Sequence, residues 1–419
     1  MSMATDSETS GFHLVGKLLD PASRADPYPI YAEFRALGPV WIKEMSALVV
    51  TGYRDCETLL RDPRLSAEHW RHVRPDEVAD PYPPDAPTSV QQPWFLSLDP
   101  PDHTRLRRLA ASAFTARAVA RMEASIAQLV DEFLDRAAER ETFDVLSDLA
   151  YSLPVAVICR MLGVPSADER LFHRWSAQLT RLLDGFSGPD DANGETPEWV
   201  RGTVEMHRYV NELVNDRRKR PRRDDLISAL LAAHDGGDVL SHDELVSTIV
   251  LLLVAGHETT VNLIANGVLA LLRHPAHLAA LRADPGTAPA VVEEILRYDP
   301  PVQLTARVAG QDLRIGEVEV PADGMVILVL AAAHRDPEAN PNPDRFDPNR
   351  EQVRHLGFGF GPHFCLGAPL ARLEGRLALA AFARRVQEPR LVADPPPYRE
   401  HINLRGVSEL LITHARVAR

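Results

Sequence analysis

Cysteine is scarce in this chain. Its 419 residues include 3 cysteines, Cys56, Cys159 and Cys365. An odd number of widely separated cysteines is a poor basis for a disulfide framework. Cys56 and Cys159 lie in apolar helical patterns, where a small buried hydrophobic side chain is expected. Cys365 follows a glycine-rich loop and needs a separate explanation.

Positive charge is also in short supply, with 46 basic against 59 acidic side chains and a formal net charge of −13. This balance argues against nucleic acid as a partner, because phosphate binding requires clustered positive charge. The first ten residues, MSMATDSETS, lack the basic start and apolar core of a signal peptide. Together with reduced thiols, these features favour a cytoplasmic protein.

Long uninterrupted hydrophobic runs are missing. The most apolar stretch, LVSTIVLLLVAGHETTVNLIANGVLALL, approaches the length of a membrane span. However, His257, Glu258, Asn262 and Asn266 lie within it, and charged groups are costly at the centre of a bilayer. The stretch is therefore predicted to be a long buried helix, without membrane insertion.

Linkers, repeats and low-complexity segments are likewise absent, and the apolar content is 45%. We therefore expect a single domain over residues 1–419. The patterns predict helices over 28–36 and 55–61, strands over 40–42 and 48–51, an irregular loop over 66–101, and a helical array over 102–296. Strand-like runs follow Pro300, then a helix from Leu366 and a small hairpin over 401–414. The expected fold class is mainly α with small β-sheets, an α+β arrangement.

Common catalytic motifs are missing around Cys365. Gly357, Gly359 and Gly361 do not form the G-x-G-x-x-G of a dinucleotide site. Zinc ligation lacks a C-x-x-C pair, and no G-x-S-x-G is present for a serine nucleophile. A cysteine at a helix amino terminus has its thiolate stabilised by free N–H groups and by the helix dipole. Flanking glycines would let a flat macrocycle approach the backbone closely.

The motif F-x-x-G-x-x-x-C-x-G, formed by Phe358, Gly361, Cys365 and Gly367, resembles the haem-binding loop of cytochrome P450 enzymes. The resemblance extends over nearly the whole chain. It implies a cytochrome P450 fold with haem b between the long central helix and the cysteine-loop helix. It also implies that Cys365 is the iron ligand, a thiolate that favours cleavage of dioxygen.

Three further segments match the same family. AGHETT resembles its oxygen-activation motif, which implies that Ala255 borders the haem and that Glu258 and Thr259 guide protons. In EEILR, Glu294 and Arg297 resemble the E-x-x-R element, and Arg345 is expected to complete a buried structural triad. The resemblance further implies that His103, Arg107, Arg307 and His363 bind the haem propionates. Phe358 and Gly359 are the remaining implied haem contacts.

The resemblance implies a monooxygenase that takes electrons from a ferredoxin and its reductase and hydroxylates or epoxidises a bulky hydrophobic secondary metabolite, such as a macrolide or another polyketide. Arg105, Arg108, Arg372 and Arg376 are a hypothetical basic docking patch for the ferredoxin. A monomer is expected. The predicted substrate contacts are Trp70, Val90, Trp94, Leu251, Val254, Val302, Leu304 and Leu404. Two alternatives remain open, oxidative coupling of aromatic rings and a haem-binding protein without turnover.

Overall fold

The computed structural model describes residues 2–69, 81–111, 114–184, 197–219, 225–235 and 240–418. Trp70, a predicted substrate contact, lies outside these ranges. The α-helices are α1 (Ser2–Leu19), α2 (Tyr28–Leu37), α3 (Tyr53–Leu59), α4 (Asp102–Ala111), α5 (Ala116–Ala120), α6 (Glu123–Ala137), α7 (Ser152–Leu162), α8 (Glu169–Asp184), α9 (Glu198–Lys219), α10 (Leu226–Asp235), α11 (His242–Arg273), α12 (Pro275–Ala283), α13 (Ala288–Tyr298), α14 (Leu330–His334) and α15 (Ala368–Arg385).

The strands are short and form small sheets. They are β1 (Val40–Ile42), β2 (Ala47–Val50), β3 (Leu65–Ser66), β4 (Thr142–Asp144), β5 (Thr305–Ala309), β6 (Leu313–Ile315), β7 (Val318–Val320), β8 (Met325–Leu328), β9 (Val386–Gln387), β10 (Arg390–Leu391), β11 (Leu411–Thr413) and β12 (Arg416–Val417). The largest sheet has the order β1-β2-β8-β5-β3. Within it β2 and β8 are parallel, and the other neighbouring pairs are antiparallel.

Helix α11 runs through the centre of the helical part and packs against α7, α8, α9, α13 and α15. Its start is fixed by a capping box, in which the Ser241 hydroxyl accepts from the Glu244 amide and the Glu244 carboxylate accepts from the Ser241 amide. In the part of the chain that the structure describes, α11 is long and apolar enough to cross a membrane, but 83% of its most apolar window is buried inside the protein. This burial agrees with the predicted core helix.

Most predicted elements are found within two residues of their expected ends. The described portion of the long loop begins with the end of β3 at Ser66 and contains the short 3-10 turns Thr88–Gln91 and Phe95–Ser97. The predicted carboxyl-terminal hairpin is partly wrong. An isolated antiparallel bridge joins Tyr398 to Val407, but β11 pairs with β10 and β4. The turn and the strand therefore do not form one hairpin, because both partners of β11 lie outside residues 401–414.

Candidate active site

The glycine-rich loop carries Cys365 to the start of α15. The Cys365 amide donates to the Phe358 carbonyl at 2.7 Å. Gly359 and Gly361 have φ angles of 70° and 72°, in the left-handed region that other residues rarely adopt. A Cβ at Gly361 would also lie 2.9 Å from the Leu60 carbonyl oxygen. The glycines are therefore required for the conformation that presents the cysteine.

The Cys365 sulfur accepts hydrogen bonds from the backbone amides of Gly367 and Ala368. Burial raises the pKa of the thiol, and these amides together with Arg107 and Arg372 oppose that effect. A Cβ at Gly367 would meet only the Cys365 sulfur, at 4.0 Å. The sulfur thus combines N–H donors on one side with open space beside Gly367, which suits a thiolate that faces a metal cation.

The four predicted propionate ligands lie close together, although they come from separate elements. Helix α4 supplies His103 and Arg107, β5 supplies Arg307, and the cysteine loop supplies His363. The rings of His103 and His363 are 4.1 Å apart between centroids. Arg307 is 9% exposed, and its guanidinium donates to the backbone oxygen of Ala306 at 2.7 Å. The fold therefore concentrates cationic and imidazole groups beside the cysteine loop.

This cluster has unused hydrogen-bonding capacity. His103 is 2% exposed, and both of its ring nitrogens are buried without a partner among the described residues. Burial and then Arg307 lower the pKa of His363 to about 3. Burial also lowers the pKa of His103 and of Arg307, while Asp99 opposes it. An anionic group placed here would supply the missing acceptors and charge, and the two carboxylates of haem fit this requirement.

Helix α11 is less buried at one short strip. Ala255, Gly256 and Thr259 are half-buried, whereas the residues on either side of this strip are buried. A Cβ at Gly256 would touch only the Ile158 side chain, at 4.0 Å. The strip follows helical spacing, so its members share one face. This face has room for a small molecule next to the backbone.

Thr259 and Glu258 are neighbours in sequence but make different contacts. The Thr259 hydroxyl donates to the Ala255 carbonyl at 2.9 Å. The Glu258 side chain is 1% exposed and forms an ion pair with Arg399. Sequence analysis missed Arg399, because 141 residues separate the two partners and no local spacing connects them.

The buried structural triad is present, but one predicted member is wrong. Arg297 donates to both carboxylate oxygens of Glu294, at 2.8 and 2.7 Å. The third member is Arg350, whose Nε lies 3.1 Å from Glu294 Oε1 and whose side chain is 9% exposed. The Arg345 side chain is 70% exposed and lies 3.6 Å from Asp347.

The correction has a local cause. Arg345 contributes its backbone carbonyl, which accepts from Arg297 at 3.0 Å and from Arg350 at 2.7 Å. Arg350 additionally donates to the carbonyls of Pro341 and Asn342. Both arginines lie in PDRFDPNR, so the motif predicts the segment correctly. The choice between them depends on how the loop turns after Asp347.

The described substrate candidates lie in different parts of the fold. Val302 and Leu404 form an antiparallel bridge, which brings the segment before β5 against the carboxyl-terminal turn as expected. Leu304 packs into a core cluster with residues of α1, α2 and the largest sheet. Leu251 and Val254 are buried in the helical core, and the half-buried Trp94 packs against it. Val90 is half-buried in the 3-10 turn Thr88–Gln91.

The hypothetical docking patch is less basic than its sequence implies. Arg105 pairs with Glu244 at 2.5 Å, Arg372 with Glu293 at 2.6 Å and Arg376 with Glu123 at 2.8 Å. These carboxylates reduce the local positive charge, so the patch stays a hypothesis with weakened support. In the described ranges, no group of three or more His, Cys, Asp and Glu side chains is placed to hold a metal ion.

Known proteins resemble this chain over most of its length. The family model for Cytochrome P450 matches residues 79–399. The chain is 41% identical to Vitamin D(3) 25-hydroxylase of Pseudonocardia autotrophica, over 93% of this chain and 94% of that protein. It is 37% identical to 6-deoxyerythronolide B hydroxylase of Saccharopolyspora erythraea, over 98% of each.

The structural comparison extends over the whole fold. The ligand-free crystal structure of Mycobacterium smegmatis CYP164A2 is 48% identical, with a TM-score of 0.85, and the alignment covers 96% of this chain and 99% of that one. The predicted fold class and the haem cofactor are thereby confirmed. The chain belongs to the cytochrome P450 family and is a haem enzyme of the monooxygenase type.

Proposed function

We propose that this enzyme uses dioxygen to hydroxylate or epoxidise a bulky hydrophobic secondary metabolite of the macrolide or polyketide kind. The observation that carries the proposal is the open strip of α11. Ala255, Gly256 and Thr259 are half-buried there, whereas their neighbours along the helix are buried. The residues of this strip offer one hydroxyl in an apolar setting. Such a site suits an apolar ligand held next to a reactive group.

Cys365 is the proposed iron ligand, and its two amide donors orient the sulfur. His103, Arg107, Arg307 and His363 would hold the propionates, with the unpartnered His103 nitrogens as the strongest support. The haem supplies the chemistry that activates dioxygen when it is bound. The protein residues bind and orient it, and the triad around Glu294 holds the segment behind the cysteine loop.

The proposed proton carriers are Thr259 and Glu258. The Thr259 hydroxyl lies on the open strip and is oriented by the Ala255 carbonyl. Glu258 is buried and paired with Arg399, so it must release this partner before it can pass a proton toward Thr259. In the resting protein, burial and the ion pair with Arg399 keep the Glu258 carboxylate away from solvent.

Relatives support the substrate class. Two relatives are named as hydroxylases of vitamin D(3) and of 6-deoxyerythronolide B. We propose that electrons come from a ferredoxin and its reductase, and that the enzyme works as a monomer in the cytoplasm. Bacterial relatives in general support hydrophobic substrates and such partners.

Optical titration of the purified ferric enzyme with macrolactones, other polyketides, sterols and fused aromatic acids tests the substrate class. A low-to-high-spin change with macrolactones or other polyketides, followed by an oxygenated product in a reconstituted reaction, is the expected result. A spin change with the aromatic acids alone, followed by coupled rings without added oxygen, would replace this proposal with oxidative coupling. Binding without any turnover would contradict the proposed oxygenation of these substrates.

A further inference from the structure

His257, the residue before Glu258, is fully buried in α11 at 0% exposure. Its Nε2 lies 3.2 Å from the Tyr151 carbonyl oxygen. Because a carbonyl only accepts, Nε2 must carry the hydrogen. The imidazole ring also stands edge-on to the Tyr151 ring, with 4.5 Å between centroids. Tyr151 thus fixes both the orientation and the tautomer of this histidine.

The other ring nitrogen faces a carboxylate. His257 Nδ1 lies 3.9 Å from Glu258 Oε1. Burial lowers the pKa of His257 to about 4, although Glu258 opposes the effect. With the neutral ring bonded through Nε2, Nδ1 is an acceptor, and so is an ionised carboxylate oxygen. Neither atom has a hydrogen-bond partner within the described part of the chain. Two buried acceptors therefore face each other, and one proton would satisfy both.

The charged and titratable groups around this pair include Arg399, His173 and the Tyr151 phenol, whose pKa is raised by burial and by the charge and hydrogen bonding of Glu258. Arg399 holds the other oxygen of Glu258. His173 of α8 stacks on Tyr151 at 4.9 Å and stands 5.8 Å from the His257 ring. His173 and Arg399 lower the pKa of His257, and Glu258 raises it. A hydrogen on the carboxyl oxygen would give Nδ1 the donor that it lacks.

We propose that His257 Nδ1 accepts a hydrogen bond from the protonated carboxyl of Glu258, which makes His257 a positioning residue for the proton that α11 delivers. One proton from solvent binds Glu258 Oε1, and the new O–H donates to Nδ1. Loss of the carboxylate charge weakens the ion pair with Arg399. The same proton then leaves toward Thr259, and the ion pair forms again, so that one proton enters and one leaves.

The inference rests on the proposed role of Glu258 in proton transfer, but its first test needs no turnover. Holoenzyme with ¹⁵N-labelled histidine is prepared in the diamagnetic ferrous–CO state, and the His257 signals are assigned by their loss in His257→Gln. The Glu258→Gln amide is an N–H donor that mimics the protonated carboxyl. At pH 8 this variant is expected to shift the Nδ1 resonance in the direction of an accepted hydrogen bond, with Nε2 unchanged.

An Nδ1 resonance that is unchanged in Glu258→Gln would overturn the proposal. So would a wild-type ring that carries its hydrogen on Nδ1 at pH 8. Both results concern only His257 and Glu258, so they are distinguishable from a failure of the proposed oxygenation, in which no substrate would yield product.

A second test measures the coupling of electron use to product. His257→Gln keeps an amide at the position of Nε2, where it can still donate to the Tyr151 carbonyl, but it has no Nδ1 acceptor. Coupling is expected to fall by about threefold or more, with a larger solvent isotope effect and unchanged substrate affinity. His274→Gln, at the end of the same helix, is the matched control and should couple as wild type does. Wild-type coupling in His257→Gln would refute the role.

Discussion

Replacing Arg350 with methionine tests the corrected triad, with Arg345→Met as the matched control. The Arg350 guanidinium donates to Glu294 at 3.1 Å and is 9% exposed. Its removal leaves a buried carboxylate with Arg297 as its remaining side-chain partner and frees backbone carbonyls that Arg350 had satisfied. We expect a loss of about 3 kcal/mol, as for other buried ion pairs that lose one member. Arg345→Met should cost about 0.5 kcal/mol or less, because exposed pairs contribute little.

The assays are guanidinium chloride unfolding and thermal unfolding of the haem-loaded enzyme, with haem release followed in parallel. At about 2.1 cal/mol/K per residue, the entropy of unfolding of 419 residues is about 0.9 kcal/mol/K, so 3 kcal/mol lowers Tm by about 3 °C. Arg350→Met should also release haem faster, since the segment behind the cysteine loop is loosened. Equal losses in the two variants, or a larger loss in Arg345→Met, would refute this account of the triad.

Three other variants test Glu374, which is buried in α15, and two residues of the site. Burial raises the pKa of Glu374 from 4.5 to about 8, so the folded protein loses stability as the pH rises from 4.5 to 8 and the unfolded chain gives up this proton first. In urea unfolding, Glu374→Gln should therefore be more stable than wild type by up to about 3 kcal/mol at pH 7 and by little at pH 4.5. A gain in stability that is independent of pH would contradict this. Thr259→Ala should release peroxide in place of product, whereas Thr260→Ala, a buried neighbour, should not; equal coupling in both would remove the role of Thr259. His103→Phe keeps a ring against His363 but lacks both nitrogens, so haem transfer to apomyoglobin should be about tenfold faster; an unchanged rate would show that His103 binds no propionate.

Local motifs explain which parts of the site could be predicted from the sequence. The cysteine loop depends on glycines at fixed positions, and the open strip of α11 depends on helical spacing, so both are readable over a few residues. Arg350 and Arg399 were missed for another reason. Their partners are 56 and 141 residues away, and only the folded chain determines which arginine reaches a buried carboxylate.

The strand topology shows the same limit. The sequence predicts short strands by composition, but β11 pairs with β4, which lies in the helical half of the chain. No local pattern indicates this partner, because strand pairing depends on contacts made elsewhere. Substrate contacts are similarly hard to predict. Leu304 has the expected apolar character, yet it packs into a core cluster with α1 and α2.

The absorption spectrum of the reduced, CO-bound enzyme tests the central claim most directly, when wild type is compared with Cys365→Ser. Wild-type enzyme is predicted to show the spectrum of CO on a thiolate-ligated haem, and Cys365→Ser should lose that spectrum even where haem stays bound. The same thiolate spectrum in both proteins would contradict the assignment of Cys365, and with it the site built around this cysteine.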